Sequence, residues 1–349
     1  MIGFLVALCL IFPTPVRCPT WAAPARLAPS EATVQGQKVF YGDLKGSGVK
    51  QRVVFSDEPN GFGRIVVLKT EREDSGVEWS REYDYSKSFS SASFDPVSGL
   101  YPVVSLERQA VVSVFGLGGS AGKIVEVFAW NGSTFARVGH WGGTSAHQVY
   151  RVEALRAQDR AAVGLALHVR ENGQLTMPTI YRWNGMAHDG KFAEANEEHP
   201  EYYGALVDSE ARNLRKHIEW WPDSFVQILS RVVEGNVYRK AYDEAVKTCR
   251  ETLPRIETES TPAPHIPASA PESAKQQAAA KFERDKARAK ADIYLLIGAI
   301  QKMAGKNEEA RRGFSAARSA DQDEYNYQIR RVRIFVRTRL GAPLLGRID

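Results

Sequence analysis

The residues able to do chemistry are scattered along this chain. His140 and His147 flank Gly142-Gly143-Thr144-Ser145, while His168, His188 and His199 stand apart. None forms an i, i+4 pair or lies beside a Cys, as a zinc site requires, so each reads as a loop or surface His and no metal site is expected. Gly116-Leu117-Gly118-Gly119-Ser120 has the composition of a phosphate loop. Strands follow it, however, and the helix N-terminus that would hold an anion is missing. No G-x-S-x-G, H-E-x-x-H or P-loop pattern occurs. The expectation is therefore no catalytic residue, no cofactor and a non-catalytic protein. The competing expectation is an envelope-located hydrolase or ligand-binding protein with its site in the β-domain loops. Such a site would bring Asp95, Glu107, Asp159 or His140 together in space.

Cysteine use and the first residues bear on location. Residues 2–12, IGFLVALCLIF, form an uncharged apolar run followed by Ala22-Ala23-Pro24-Ala25. The run is shorter than the roughly 20 residues a membrane span needs. It reads as a secretory signal over 1–25, cleaved after Ala25 or Ala22, although no Lys or Arg precedes it. An uncleaved anchor is the alternative. Cys9 and Cys18 follow Leu8 and Arg17, so neither sits in a lipoprotein motif. Cys249 would then be the one cysteine of an exported, periplasmic or secreted chain, with no internal disulfide. It reads as a small buried residue on a helix face.

The elements that must position any site fall into two kinds. With 349 residues, 43% hydrophobic and 25% charged, the chain suits about two globular domains. A net charge of +5 does not point to nucleic acid. From residue 26 to 200 short β-branched runs alternate with Gly, Asn, Asp and Ser, predicting an all-β repeat domain, either propeller-like or an open meander. Val111–Phe115, Lys123–Phe128 and Trp130-Asn131-Gly132 are echoed by Ala161–Leu167, Thr179–Arg182 and Trp183-Asn184-Gly185. Asn-Gly after an alternating run predicts a hairpin, returning the chain to Phe135 and Phe192 respectively. A third unit runs from Gly42 through Arg52–Phe55 and Pro59-Asn60-Gly61 to Arg64–Leu68. Its opening loosely resembles the FG-GAP family of β-propeller repeats. That resemblance implies Ca²⁺ ligands at Asp43, Lys45 and Ser47, but a Lys among them removes a ligand and adds a repelling charge, so a turn without metal is expected.

Residues 205–253 read as helix, 254–273 as a Pro-rich linker without fold, and 274–349 as helix again. Within Ala291–Ala320, Tyr294, Ile297 and Gly298 form one stripe. Gly305 ends the helix, Asn307 caps the next, and Ala310, Phe314 and Ala317 form a second stripe. These seven packing positions resemble the tetratricopeptide repeat, with departures at Gln301 (an aromatic in the family) and Gln322 (a Pro). A weaker copy reads Phe225, Ile228-Leu229, Ala241, Ala245 and Pro254, with one residue inserted near Gly235-Asn236. The resemblance implies an α-helical C-terminal domain that presents a groove to a protein partner. The overall expectation is an α+β chain of two domains serving as a protein-binding or scaffold protein. No transmembrane helix is expected after signal removal. Arg330, Arg331, Arg333, Arg337 and Arg339 are candidates for an acidic partner or a peripheral envelope contact, against the plainer reading of a solvated closing helix.

Overall fold

A computed structural model of the chain describes residues 32–326, apart from 35–36, 60, 70–75, 85–91, 106–107, 118–121, 145–146, 157–162, 172–173, 184–190, 217–221, 261–268 and 324. The expected leader and the five candidate arginines from Arg330 to Arg339 lie outside these residues. The described chain is mixed α+β, with antiparallel sheets followed by helices.

The first sheet is an antiparallel meander in chain order: β1 (Ala32–Val34), β2 (Gln37–Gly42), β3 (Gln51–Glu58), β4 (Phe62–Leu68) and β5 (Val77–Asp84). Val53 and Phe55 alternate with half-exposed neighbours, as do Ile65 and Val67, so one face is buried. At the β3–β4 hairpin Gly61 takes a φ of +82° and its N–H reaches the Glu58 carbonyl at 3.1 Å.

The second sheet contains β6 (Ser93–Phe94), β7 (Gly99–Ser105), β8 (Arg108–Gly116), β9 (Lys123–Trp130), β10 (Phe135–Gly142), β11 (His147–Arg156), β12 (Val163–Glu171), β13 (Gln174–Leu175), β14 (Thr179–Trp183) and β15 (Phe192–Glu194). Its main path runs β15-β14-β12-β11-β9-β8-β6, with β10 on β9, β13 on β12 and β7 on β8. The two units that carry Trp-Asn-Gly therefore join one ten-stranded sheet, while the unit from Gly42 to Leu68 belongs to the first sheet. Trp130 faces Phe135 and Trp183 faces Phe192, so both chains return where the Trp-Asn-Gly triplets foretell.

The strands β8 and β9 are buried on both faces. Val111, Phe115 and Phe128 pack against Phe40, Phe55, Ile65 and Tyr83 of the first sheet. Val112, Val114, Val125 and Val127 meet Val149, Val152, Leu165 and Leu167, because the second sheet curls over itself. Two-sided burial replaces alternation with a continuous buried run, as in Val111–Phe115, where Ser113 is the one polar residue.

The outer face of β11, β12 and β14 is closed by helices. The helices are α1 (Pro200–Lys216), α2 (Pro222–Tyr238), α3 (Tyr242–Thr258), α4 (Glu272–Met303) and α5 (Asn307–Ala320), of which α1 and α2 make that closure. Tyr202, Tyr203 and Val207 of α1 and Val232 and Tyr238 of α2 bury Leu155, Ala166, Met177 and Ile180. This closure takes backbone donors out of water, and side chains supply the acceptors. The Ile180 N–H donates to Asn196 Oδ1 at 2.8 Å, and the Met177 N–H donates to Glu234 Oε2 at 2.9 Å. Tyr203 donates to Asn196 Oδ1 at 2.7 Å and Tyr238 to Glu234 Oε1 at 2.9 Å.

The remaining helices fold as two antiparallel pairs. The α2–α3 pair reverses at Lys240, which holds a φ of +60°, and the α4–α5 pair at Gly305, with a φ of +77°. Ala245, Cys249 and Thr252 follow Lys240 at the spacing by which Ala310, Phe314 and Ala317 follow Gly305, and all six are buried. The reversal at Lys240 corrects the sequence register of the weaker copy. Gly235 and Asn236 lie inside α2, where a Cβ on Gly235 would come within 2.5 Å of Val207 Cγ2.

Two local expectations differ, the end of α3 and the cap of α5. The helix α3 continues through Pro254 to Thr258. Burial of Ile256, with Arg255 donating to the Leu214 carbonyl at 3.1 Å, offsets the hydrogen bond that proline removes. Lys306, not Asn307, holds the N-cap position of α5, with no side-chain cap. Asn307 Oδ1 instead accepts from Lys302 Nζ at 2.7 Å. The 32-residue α4 is continuous from Glu272, and only from Asp285 onward does it enter the core.

At the α4–α5 crossing, a Cβ on Gly313 would lie 2.8 Å from the Gly298 backbone, and one on Gly298 would lie 2.7 Å from the Phe314 ring. Gly313→Ala should therefore force the helices apart and cost about 1–3 kcal/mol, the range for overpacking. Urea unfolding checks this, with Gly76→Ala, which meets nothing within 4 Å, as the near-neutral control.

Candidate functional site

Three polar constellations stand out among the described residues. Two are carboxylates set into strands, and each depends on a β-bulge, which shifts the facing of a strand by one residue.

The first centres on Glu126 of β9, whose side chain is 0% exposed. The residue shares a face with Ile124 and Phe128, looking toward the first sheet. Arg81 of β5 reaches it twice, Nε to Oε2 and Nη2 to Oε1, both at 3.0 Å. Tyr83 donates to Oε2 at 2.7 Å and is itself 3.0 Å from Ser113 Oγ. From β10, Arg137 donates to Oε1 at 2.8 Å, and His140 Nδ1 lies 3.3 Å from the same oxygen. An odd separation of three residues would put Arg137 and His140 on opposite faces of a regular strand. The register shift between Arg137 and Gly139 brings both to Glu126. Burial pushes the Glu126 pKa up, but the hydrogen bonds from Arg137, Tyr83 and Arg81 outweigh it and hold the group below its ordinary value. Burial, then the Glu126 charge, pushes Tyr83 well up. The arrangement staples the two sheets through charge-assisted bonds.

The second joins β11, β12 and α1. His168 Nε2 lies 2.9 Å from Glu153 Oε1 and 3.2 Å from the Tyr202 hydroxyl, and Arg151 pairs with Glu153 at 2.7 Å. The register shift between Val149 and Arg151 sets Arg151 opposite His168. Here too burial raises the Glu153 pKa and the His168 hydrogen bond, with its neighbours, lowers it further, leaving it depressed. His199 sits nearby against Gly164, its Nε2 buried without a hydrogen-bond partner, and burial depresses its pKa.

The third is an open groove of about 500 Å³ in the helical region. It is lined by Asp243, Val246, Lys247, Arg250 and Glu251 of α3, Gln301 of α4, Lys306 of the turn and Glu309 of α5. The α3 residues recur at helical spacing and form one face of that helix.

The residues anticipated for a hydrolytic site do not converge. Asp95 pairs with Lys123 and accepts the Val97 N–H at 3.0 Å within its own turn. His140 joins Glu126, not Asp95, and Glu107 and Asp159 lie outside the described residues. Asp43 Oδ1 accepts N–H groups of Lys45, Gly46 and Ser47 at 2.8–3.2 Å, while Lys45 pairs with Glu78 and lies over the Trp130 ring. That loop is closed on its own carboxylate. Among the described residues no group of three His, Cys, Asp or Glu could hold a metal ion, and no helix is long and apolar enough to cross a membrane. Cys249 is fully buried, and burial pushes its thiol up to about 12. Of the packing residues, Tyr294, Gly298, Ala310, Phe314 and Ala317 meet in the α4–α5 pair with Leu295 and Tyr325, whereas Ile297 packs on the other side of α4 with α2 and α3.

Sequence reasoning missed Glu126 and Glu153, and marked Gln301 only as a departure from the repeat pattern. Glu126 left one signal, a charge on the same strand face as Ile124 and Phe128. The chain matches no known family model, curated protein or solved structure.

Glu126→Gln removes the charge that three donors share, and should cost roughly 3 kcal/mol by the cost of breaking a buried pair. Two acid limbs are expected. His199, depressed from 6.5, is destabilising once it must take up a proton, so stability is full above pH 6.5 and falls below it. Glu126 and Glu153, depressed from 4.5, stabilise above pH 4.5 and lose that contribution as pH drops through their folded values. Chemical denaturation from pH 8 to 3 should show both limbs, and His199→Leu should remove only the upper one.

Proposed function

We propose that this chain is an exported protein-binding or scaffold protein, using a tetratricopeptide-like helical surface beside a β-repeat domain. The observation that carries this reading is the pair of helical hairpins. Each turns on a left-handed residue, each buries three residues at the same spacing after that turn, and they stack as α2–α3 on α4. Such stacking presents continuous surface, and repeat proteins recognise partners through surface contacts without a cofactor. The charged face of α3, from Asp243 to Glu251, leaves Asp243, Lys247, Arg250 and Glu251 exposed on that surface. The buried Glu126 and the half-buried Glu153 are already engaged by several donors, which supports a framework role for both clusters. Export rests on the apolar run at residues 2–12 and the small residues after it. A peripheral envelope contact through the arginines from Arg330 to Arg339 belongs to the same proposal.

A photo-crosslinking amino acid at exposed Glu244 on α3, in the chain expressed in its source cells, should give a discrete protein adduct in the envelope fraction. The same reagent at exposed Val49, on the β2–β3 loop, is the comparison. Adducts from Val49 alone would move recognition to the β half, and none from either position would sink the scaffold reading.

A further inference from the structure

Glu126 is surrounded by more positive charge than one carboxylate needs. Arg81, through two N–H groups, and the Tyr83 hydroxyl already give both of its oxygens a donor. Arg137 and His140 of β10 are added to these, and they reach Glu126 together only because the strand is bulged. Two permanent cations and an imidazole therefore face a single negative charge. An ion pair as open to water as that of Arg137 contributes little to stability, and the second guanidinium is repelled by the first. Stability gives little reason for Arg137 and His140.

Solvent at this place meets the cations and not the carboxylate. The Glu126 side chain is 0% exposed, while those of Arg81, Arg137 and His140 are 39%, 51% and 46% exposed. Arg81 Nη2, Arg137 Nη1 and His140 Nδ1 lie 3.0, 2.8 and 3.3 Å from the one atom Oε1, so no two of these nitrogens stand more than about 6 Å apart. Arg137 spends one of its five N–H groups on Glu126 and makes no other hydrogen bond among the described residues. The other carboxylates of β5 that could quench the cluster are engaged elsewhere, Glu82 with Arg64 at 3.3 Å and Glu78 with Lys45.

We propose that Arg81, Arg137 and His140 form a binding site for a phosphate group, with Glu126 holding the two guanidiniums in place from behind. A phosphate monoanion or dianion, about −1.5 to −2 at pH 7, matches the surplus charge that a carboxylate ligand would leave partly unmet. Its oxygens point in tetrahedral directions, so it accepts N–H groups from two strands at once, and the planar fork of Arg suits those oxygens. The free ion and a phosphomonoester headgroup on a lipid surface offer the same chemistry. The site lies in the β half and does not rest on the protein-binding reading of the helices.

The test follows the His140 ring signals of the full chain by NMR, at fixed pH and ionic strength, as inorganic phosphate replaces chloride. A saturable shift is expected, with a dissociation constant of about 1 mM or lower. Arg137→Gln should raise that constant about tenfold, and Arg137→Lys, which keeps the charge without the fork, should recover part of the loss. His140→Gln, read by phosphorus NMR line widths, should also weaken binding, and acetate should bind at least tenfold more weakly than phosphate. Absence of a saturable shift, an equal response to acetate, or undiminished binding by Arg137→Gln would each overturn the site. Phosphatidylcholine vesicles containing phosphatidic acid then identify the source of the phosphate. Retention that falls in Arg137→Gln assigns the site to a lipid headgroup, whereas absent or equal retention, beside phosphate binding that differs, assigns it to a soluble phosphate.

Discussion

A sheet can be covered by helices only if every backbone donor that goes dry finds an acceptor. In this molecule that constraint falls on β14 and the segment before it, and it is met by Asn196 and Glu234. Both are buried, and both also accept from a tyrosine hydroxyl, Tyr203 or Tyr238. The two tyrosines stand 4.8 Å apart, ring to ring, so the polar contacts and the apolar ones are made by the same side chains. The link is specific in a way that apolar packing alone is not, because each hydrogen bond has direction. It fixes α1 and α2 on the sheet, and the later helices stack from there.

The β half obeys a related rule at its centre. Strands buried on both faces have no room for a charge unless it is fully matched. Glu126 is tolerated because three donors and a His converge on it from two sheets. The convergence needs an irregularity, and the bulge in β10 provides it. The same device in β11 assembles Glu153, His168 and Tyr202 under α1. Irregular strands are thus what allow polar groups inside this sheet.

These features explain what could be read from the chain beforehand. The helical pair at Ala291–Ala320 was legible because its determinants are local: a glycine at the turn, and small or aromatic residues at fixed spacing. The Trp-Asn-Gly hairpins were legible for the same reason. The sheet order was not, because β11 takes its place between β9 and β12 through a pairing that leaves no local mark. Pro254 misled, since a local helix breaker is outvoted by the burial of Ile256. In the weaker helical copy an inserted residue was placed near Gly235, but that glycine lies inside α2 and serves close approach to Val207. Glu126 and Glu153 escaped because each is defined by partners distant in sequence.

The long helix α4 has two unlike halves. From Asp285 to its end it is wedged between α2, α3 and α5, and its residues touch the core on successive turns. Before Asp285 the side chains are mostly exposed, and Ala, Lys, Arg and Glu hold the helix by intrinsic preference. At 1.5 Å per residue that first part makes an overhang of about 20 Å. Over evolutionary time the two halves face different rules. Gain or loss of a residue in the overhang changes only its reach, whereas the same change beyond Asp285 rotates every later side chain by about 100° out of its niche. The helix can therefore vary freely in length at one end, like an adjustable strut clamped at the other.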